Sequence, residues 1–308
     1  MENTYFDLQV NGYAGVDFNR DDLSADDLHR ACRRLDADGV GGILATVITE
    51  QVDVMCRRIA RLVELREADP LAKRIVAGLH VEGPFINEQP GYRGAHPVDA
   101  IVPADARTAG RLLEAGKGLV KLVTLAPERD AGFAVTRMLA EQGVVVSAGH
   151  CDPSVDVLTA AVDAGVSLFT HLGNGCPMQV HRHDNVVQRA IHVHATGGRL
   201  WLAFIADGAH VPFFALRNYL RSADASRCVV VTDAMSAAGQ GPGRYTIGRW
   251  TLDIGDDLVA WAPDRSHLVG AAVTMRRSEE NLVAGCGMST EAARVLLCEN
   301  PRKALGIG

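Results

Sequence analysis

Gly78-Leu-His-Val-Glu-Gly-Pro-Phe-Ile86 is an apolar run that ends in a carboxylate and a forced turn. Period-two alternation puts His80 and Glu82 on one face of a strand, and Gly83-Pro84 must end that strand just beyond the carboxylate. A carboxylate is thus set at a strand's C-terminal end. In a barrel of parallel strands, that rim is where the chemistry sits.

Outward from this strand, short β-branched runs alternate with amphipathic stretches eight times. Strands are predicted at Tyr5 to Asn11, Gly42 to Ile48, Ile75 to Glu82, Leu119 to Leu125, Val144 to His150, Ser167 to Leu172, Leu200 to Ala206 and Cys228 to Asp233. Helices are predicted over Ala25 to Ala37, Val52 to Ala68, Pro103 to Ala115 with proline in its first turn, a stretch ending at Gln142, Ser154 to Ala164, Val186 to His194, and one from Pro212. Eight βα units make a TIM-type (β/α)8 barrel the expected architecture. An open doubly wound sheet would favour a Gly-x-Gly-x-x-Gly after the first strand, and none is present. Between Gly239 and His267 the pattern changes to hairpin-like alternation, Arg244 to Asp253 and then Asp257 to Trp261. We read 239–267 as a β-hairpin insertion after strand 8, followed by closing helices over Thr274 to Ala284 and Thr290 to Cys298. Residues 1–308 read as a single domain.

The 308 residues are 47% hydrophobic, enough for a large core. A formal charge of −6 and a pI near 6.0, with no basic block, argue against nucleic acid or an anionic membrane surface as the main partner. A small-molecule substrate fits better. The start, Met1-Glu-Asn-Thr-Tyr-Phe6, has no signal-peptide character, and no apolar run approaches the ~18 residues of a membrane span, which together suggest a cytoplasmic protein. The seven cysteines, Cys32, Cys56, Cys151, Cys176, Cys228, Cys286 and Cys298, are scattered and form no Cys-x-x-Cys pair. Neither a disulfide framework nor a finger-type zinc site is expected.

The predicted strand ends carry the chemistry. The third ends at Glu82, the fifth at His150, the sixth at His171 and the eighth at Asp233. A lone strand-end histidine is more often a loop hydrogen-bonder, but four ionisable groups on one rim point to a site. Glutamate with two histidines is a three-ligand set for a catalytic metal, zinc foremost, that leaves a position for water. Iron, manganese or cobalt would also be accepted. Asp233 is the natural proton acceptor beside it, since a carboxylate near a divalent cation stays ionised at neutral pH. Its alternative role is a loop cap. Gln9 and Asn11 fall on the inward face of the first strand, where many metal-dependent barrel hydrolases carry His-x-His. Neutral amides are poor zinc ligands, so one metal is expected rather than two. His80 faces inward beside Glu82 and serves either to orient it or as a plain core residue. His96 and His210 each follow a turn, which suits a loop over the site and equally a solvated loop histidine.

Asp7-Leu-Gln-Val-Asn-Gly-Tyr-Ala-Gly-Val-Asp-Phe-Asn19, His80-Val-Glu-Gly-Pro-Phe85, Gly94-Ala-His96, Ala148-Gly-His150, Thr170-His-Leu172, Ile205-Ala-Asp-Gly-Ala-His-Val211, Thr232-Asp-Ala234 and Leu268-Val-Gly270 follow one another in order. The series resembles the N-acetylglucosamine-6-phosphate deacetylases of the amidohydrolase superfamily, and the match runs to Asn300-Pro-Arg-Lys-Ala-Leu-Gly306. The resemblance implies a barrel of the metal-dependent hydrolase kind, with a metal on Glu82, His150 and His171, and Asp233 as general base and then acid. It also implies that His96 polarises the amide carbonyl, that His210, Asn174 and Gly175 contact substrate, and that Arg182 binds phosphate. A homodimer is implied as well.

Two departures stand out. Where the family has an aromatic residue and an Arg-x-Pro-Gly-like turn, this chain has Thr170-His-Leu-Gly-Asn-Gly-Cys-Pro-Met178 and Arg182-His-Asp-Asn185. The terminal segments that form the family's accessory β-sandwich are also not expected here. The first departure leaves open an amidohydrolase acting on an unphosphorylated or other N-acyl substrate. A third reading is a sugar-phosphate binding protein that has lost catalysis.

Overall fold

The computed structural model describes residues 4–307. Eight parallel strands hydrogen-bond in chain order: β1 (Tyr5–Val10), β2 (Val40–Ile48), β3 (Val76–Glu82), β4 (Val120–Leu125), β5 (Val145–Ala148), β6 (Val166–Phe169), β7 (Trp201–Ile205) and β8 (Cys228–Val231). A parallel bridge between Val10 and Ala234 brings the last strand back to the first, and the Asn11 amide donates to the Ala234 carbonyl at 2.7 Å. The result is the TIM-type barrel expected from the sequence. The other sheets among the described residues are two-stranded: Gly12–Tyr13 with Val16–Asp17, and an antiparallel hairpin of β9 (Gly243–Ile247) and β10 (Trp250–Ile254).

Helices cover the barrel in sequence: α1 (Ala25–Ala37), α2 (Val52–Ala68), α3 (Ala106–Gly116), α4 (Ala134–Glu141), α5 (Val155–Ala164), α6 (Val186–Gly197), α7 (Phe213–Ser222) and α8 (Met275–Cys286). The first shows why such stretches fold as they do. Ser24 and Asp27 close a capping box at its start, and Leu28, Ala31, Cys32 and Leu35 recur at helical spacing to bury one face.

The barrel interior is layered. Phe6, Leu8, Leu44, Leu122, Leu168, Ala203 and Val229 form an apolar floor. Two residues further along the strands lies a hydroxyl and imidazole layer: the His80 ring bonds the Thr46 hydroxyl at 3.3 Å and the Thr124 hydroxyl at 2.8 Å, and Thr124, Thr170 and Ser147 continue the chain at 2.9 and 2.6 Å. The next layer is the rim.

Several expected boundaries are corrected. Pro103 lies outside α3, because the Asp105 carboxylate accepts from the amides of Arg107 and Thr108 and so starts the helix there. Residues 257–261 form no strand: Leu258 is left-handed at φ 55°, and Trp261 makes a single bridge to Leu268. The closing helix over Thr290–Arg294 passes into a π turn at Val295–Glu299 before Asn300–Ala304. Strands β5, β6 and β8 stop two residues short of His150, His171 and Asp233. Those three residues have φ of 52°, 31° and 53°, and a left-handed residue breaks the ladder.

Candidate active site

The left-handed residues swing their side chains off the strand lines toward Glu82, which ends β3. His171 Nε2 lies 3.1 Å from Glu82 Oε1 and 3.1 Å from His150 Nε2, and His150 Nε2 lies 3.4 Å from the same carboxylate oxygen. All three residues are buried. His150 Nδ1 donates to the Tyr92 carbonyl at 2.8 Å, so in the neutral ring Nε2 carries a lone pair. His171 Nδ1 has no protein partner. Lone pairs and a carboxylate therefore converge on one point, which is electrostatically unfavourable unless a cation or proton sits among them. The edges of the triangle are close to the roughly 3.3 Å ligand separation of a tetrahedral site with bonds of about 2.0–2.1 Å. The donor set therefore fits a small divalent metal.

Against the desolvation of burial, the adjoining His150 and His171 rings hold the Glu82 carboxyl well below its ordinary range. Asp233 behaves oppositely. Burial and then the neighbouring Glu82 charge push it up to about 6. Its Oδ1 accepts from Gln9 Nε2 at 3.0 Å and Asn11 Nδ2 at 2.7 Å, and the same Gln9 amide also donates to Glu82 Oε1 at 2.9 Å. The amides of Gln9 and Asn11 thus hold one oxygen of Asp233 and leave Oδ2 to exchange protons. Asn11 Oδ1 is buried without a partner.

His96 stands edge-on to His150, with ring centroids 4.4 Å apart, and its Nε2 is 4.0 Å from Glu82 Oε2. Its Nδ1 bonds the Thr49 hydroxyl at 2.8 Å, and Thr49 also donates to the Glu82 carbonyl at 3.1 Å. Burial and the His150 neighbour push the His96 imidazole down to about 3, so the ring is neutral. His210 Nδ1 bonds Asp207 Oδ2 at 2.6 Å, and that carboxylate outweighs burial to raise the imidazole pKa. Gly175 packs on His150: at φ 60°, an added Cβ would meet His150 Nδ1 at 3.1 Å. Asn174 Nδ2 donates to the His171 carbonyl at 3.1 Å.

Two of the named residues lie apart from the cluster. His80 spends both ring nitrogens on Thr46 and Thr124 and makes no bond to Glu82, as its place one layer below the rim dictates. Arg182 is exposed in the loop before α6 and is not brought onto the Glu82, His150 and His171 cluster. Tyr92, Thr49 and Asp207 were missed. For Tyr92 and Thr49 the sequence holds no signal, because a backbone carbonyl and a lone threonine have no motif. Asp207, three residues before His210, could have been found from its spacing.

No family model matches the chain. N-acetylglucosamine-6-phosphate deacetylase from Bos taurus is 31% identical over 308 residues, covering 98% of this chain and 74% of the relative. N-acetylgalactosamine-6-phosphate deacetylase from Escherichia coli is 30% identical, covering 98% and 77%. Among solved structures, a mutant of the Mycobacterium smegmatis N-acetyl-D-glucosamine-6-phosphate deacetylase in complex with N-acetyl-D-glucosamine-6-phosphate superposes with a TM-score of 0.88. It shows 29% identity over 99% of this chain and 77% of its own. With the rim residues of its barrel gathered as described, this chain belongs to the N-acetylglucosamine-6-phosphate deacetylase family.

Proposed function

We propose that this protein hydrolyses the acetamide of an N-acetylated amino sugar 6-phosphate, with N-acetylglucosamine 6-phosphate the first candidate, releasing acetate and the free amine. The observation that carries the reading is the triangle of Glu82, His150 and His171 beside an Asp233 whose Oδ1 is held by two amides. Glu82, His150 and His171 would hold one divalent metal, zinc, which supplies Lewis acidity for the carbonyl and makes hydroxide available near neutrality. Asp233 takes a proton from the attacking water, oxygen adds to the acetamide carbon, and Asp233 returns that proton to the nitrogen as the C–N bond breaks. His96 faces the developing oxyanion, and its neutral ring serves as a donor through Nε2 in the tautomer in which Thr49 turns its single proton from the Glu82 carbonyl to Nδ1.

Substrate contacts fall to His210, Asn174 and Gly175 on the loops around the rim, with the exposed Arg182 of the loop before α6 as the phosphate anchor through a charge-assisted fork. The family resemblance supports a homodimer. Among the described residues no helix is long and apolar enough to cross a membrane. A cytoplasmic location is a separate part of the proposal and rests on the sequence reading. The β9–β10 hairpin reads as an elaboration of the loop after β8 within a single barrel domain.

Acetate release from zinc-loaded protein tests the reading, with N-acetylglucosamine 6-phosphate, its galacto epimer and unphosphorylated N-acetylglucosamine in parallel. The galacto epimer is included because one 30% identical relative bears that name. Release from the phosphorylated sugars alone is expected. Equal release from the unphosphorylated sugar would overturn the phosphate assignment, and no release from any would overturn the activity.

A further inference from the structure

The β9–β10 hairpin joins the two loops that carry Asp233 and His96. On the Asp233 side, the Thr246 amide donates to the Ser236 hydroxyl at 3.1 Å, and that hydroxyl bonds the Thr246 carbonyl. Ile247, Leu252 and Ile254 share a small apolar core with Met235 and Ile48, against which Ala95 and Trp250 pack. At the tip, the Gly248 amide donates to Asp17 Oδ2 at 2.9 Å. Arg249 donates to Glu50 Oε2 at 2.7 Å and to both oxygens of Asp99 at 2.9 and 3.0 Å. Trp250 Nε1 donates to the Ala95 carbonyl at 2.8 Å.

That last bond matters most, because the Ala95 carbonyl belongs to the peptide plane that joins His96. Fixing the plane on one side, while Thr49 holds Nδ1 on the other, leaves the imidazole little freedom. Asp99, three residues beyond His96, is clamped by Arg249. We propose that Trp250 and Arg249 are positioning residues: the hairpin tip sets the placement of the His96 ring relative to Asp233. The proposal rests on the deacetylase reading for what His96 does in turnover, but not for where the ring is held.

Trp250→Phe keeps an aromatic ring and removes the donor. In zinc-loaded enzyme, kcat should fall about tenfold with KM changed by less than about twofold, because misplacement of a polarising group by a fraction of an ångström acts on the transition state. In a His96→Ala background the same substitution should have no further effect, since a positioning residue has nothing left to position. An unchanged kcat, or an equal loss in both backgrounds, would overturn the proposal. If wild type releases no acetate, the activity reading has failed and the placement is judged by 15N-histidine resonances of the zinc-loaded protein. A shift or broadening of the His96 signals in Trp250→Phe supports the clamp, and unchanged signals refute it. Should Trp250→Phe not fold, Arg249→Lys, which loses the two-oxygen grip on Asp99, is measured in the same two ways.

Discussion

Replacing Asp233 with asparagine should move activity and stability in opposite directions. The amide oxygen can still accept from Gln9 and Asn11 as Asp233 Oδ1 does, so the side chain stays in place. What it loses is the ability to take a proton. General-base removal costs about 10²–10⁴ in kcat, a barrier increase of roughly 3–5 kcal/mol. Stability moves the other way in metal-free protein. The Asp233 carboxyl is raised from 3.8 to about 6, chiefly by burial and then by the Glu82 charge. The folded chain therefore keeps this proton to higher pH than the unfolded chain. The group's contribution to stability is full below about pH 4, falls as pH rises through 6, and stays lost above. At pH 8 the ionised carboxylate destabilises the metal-free fold by at most about 3 kcal/mol, which neutral asparagine avoids. Chelator-stripped wild type and Asp233→Asn, melted in a calorimeter between pH 4 and 8, should diverge by a few degrees at pH 8 and converge at pH 4. A variant that keeps more than about a tenth of wild-type kcat refutes the base assignment. A variant less stable than wild type at pH 8 refutes the electrostatic reasoning.

Stripping the metal should lower the melting temperature and zinc should restore it, with about 4 kcal/mol gained at a thousand times Kd; Glu82→Gln should abolish that response in a thermal-shift titration. Gln9→Leu removes two hydrogen bonds to carboxylates, each of the order of 1.5–3 kcal/mol. Its kcat should fall about ten- to a hundredfold while zinc content, measured by plasma emission, is retained. Asp207→Asn should lower the His210 imidazole pKa, because the carboxylate is what raises it against burial. NMR titration of the ring would show this, and an unmoved value would disprove the pairing.

The alternation of strands and helices was legible because each element declares itself through local periodicity. Val52–Ala68 was placed to the residue, and Glu82 was placed at the end of its strand by Gly83-Pro84. His150, His171 and Asp233 were recognised, but their backbones were read as extended. A left-handed turn at histidine or aspartate leaves no mark in a sequence, since glycine is the residue that usually announces it. The amides of Gln9 and Asn11 were legible as unsuitable for a second metal. Their grip on Asp233 depends on β1 and β8 being neighbours, a closure that joins positions more than 220 residues apart. Arg182 is exposed in the loop before α6, and its proposed hold on phosphate is decided by the comparison of phosphorylated and unphosphorylated sugars.

The left-handed conformations of His150, His171 and Asp233 also bear on what the rim costs the fold. Each is disfavoured for a residue with a Cβ by about 1–2 kcal/mol. Glycine at these places would relieve the backbone but leave the Asn11 amide and the Tyr92 carbonyl without their side-chain partners. The two imidazoles and the carboxylate are thus held at the rim against a backbone preference, by the bonds and packing around them.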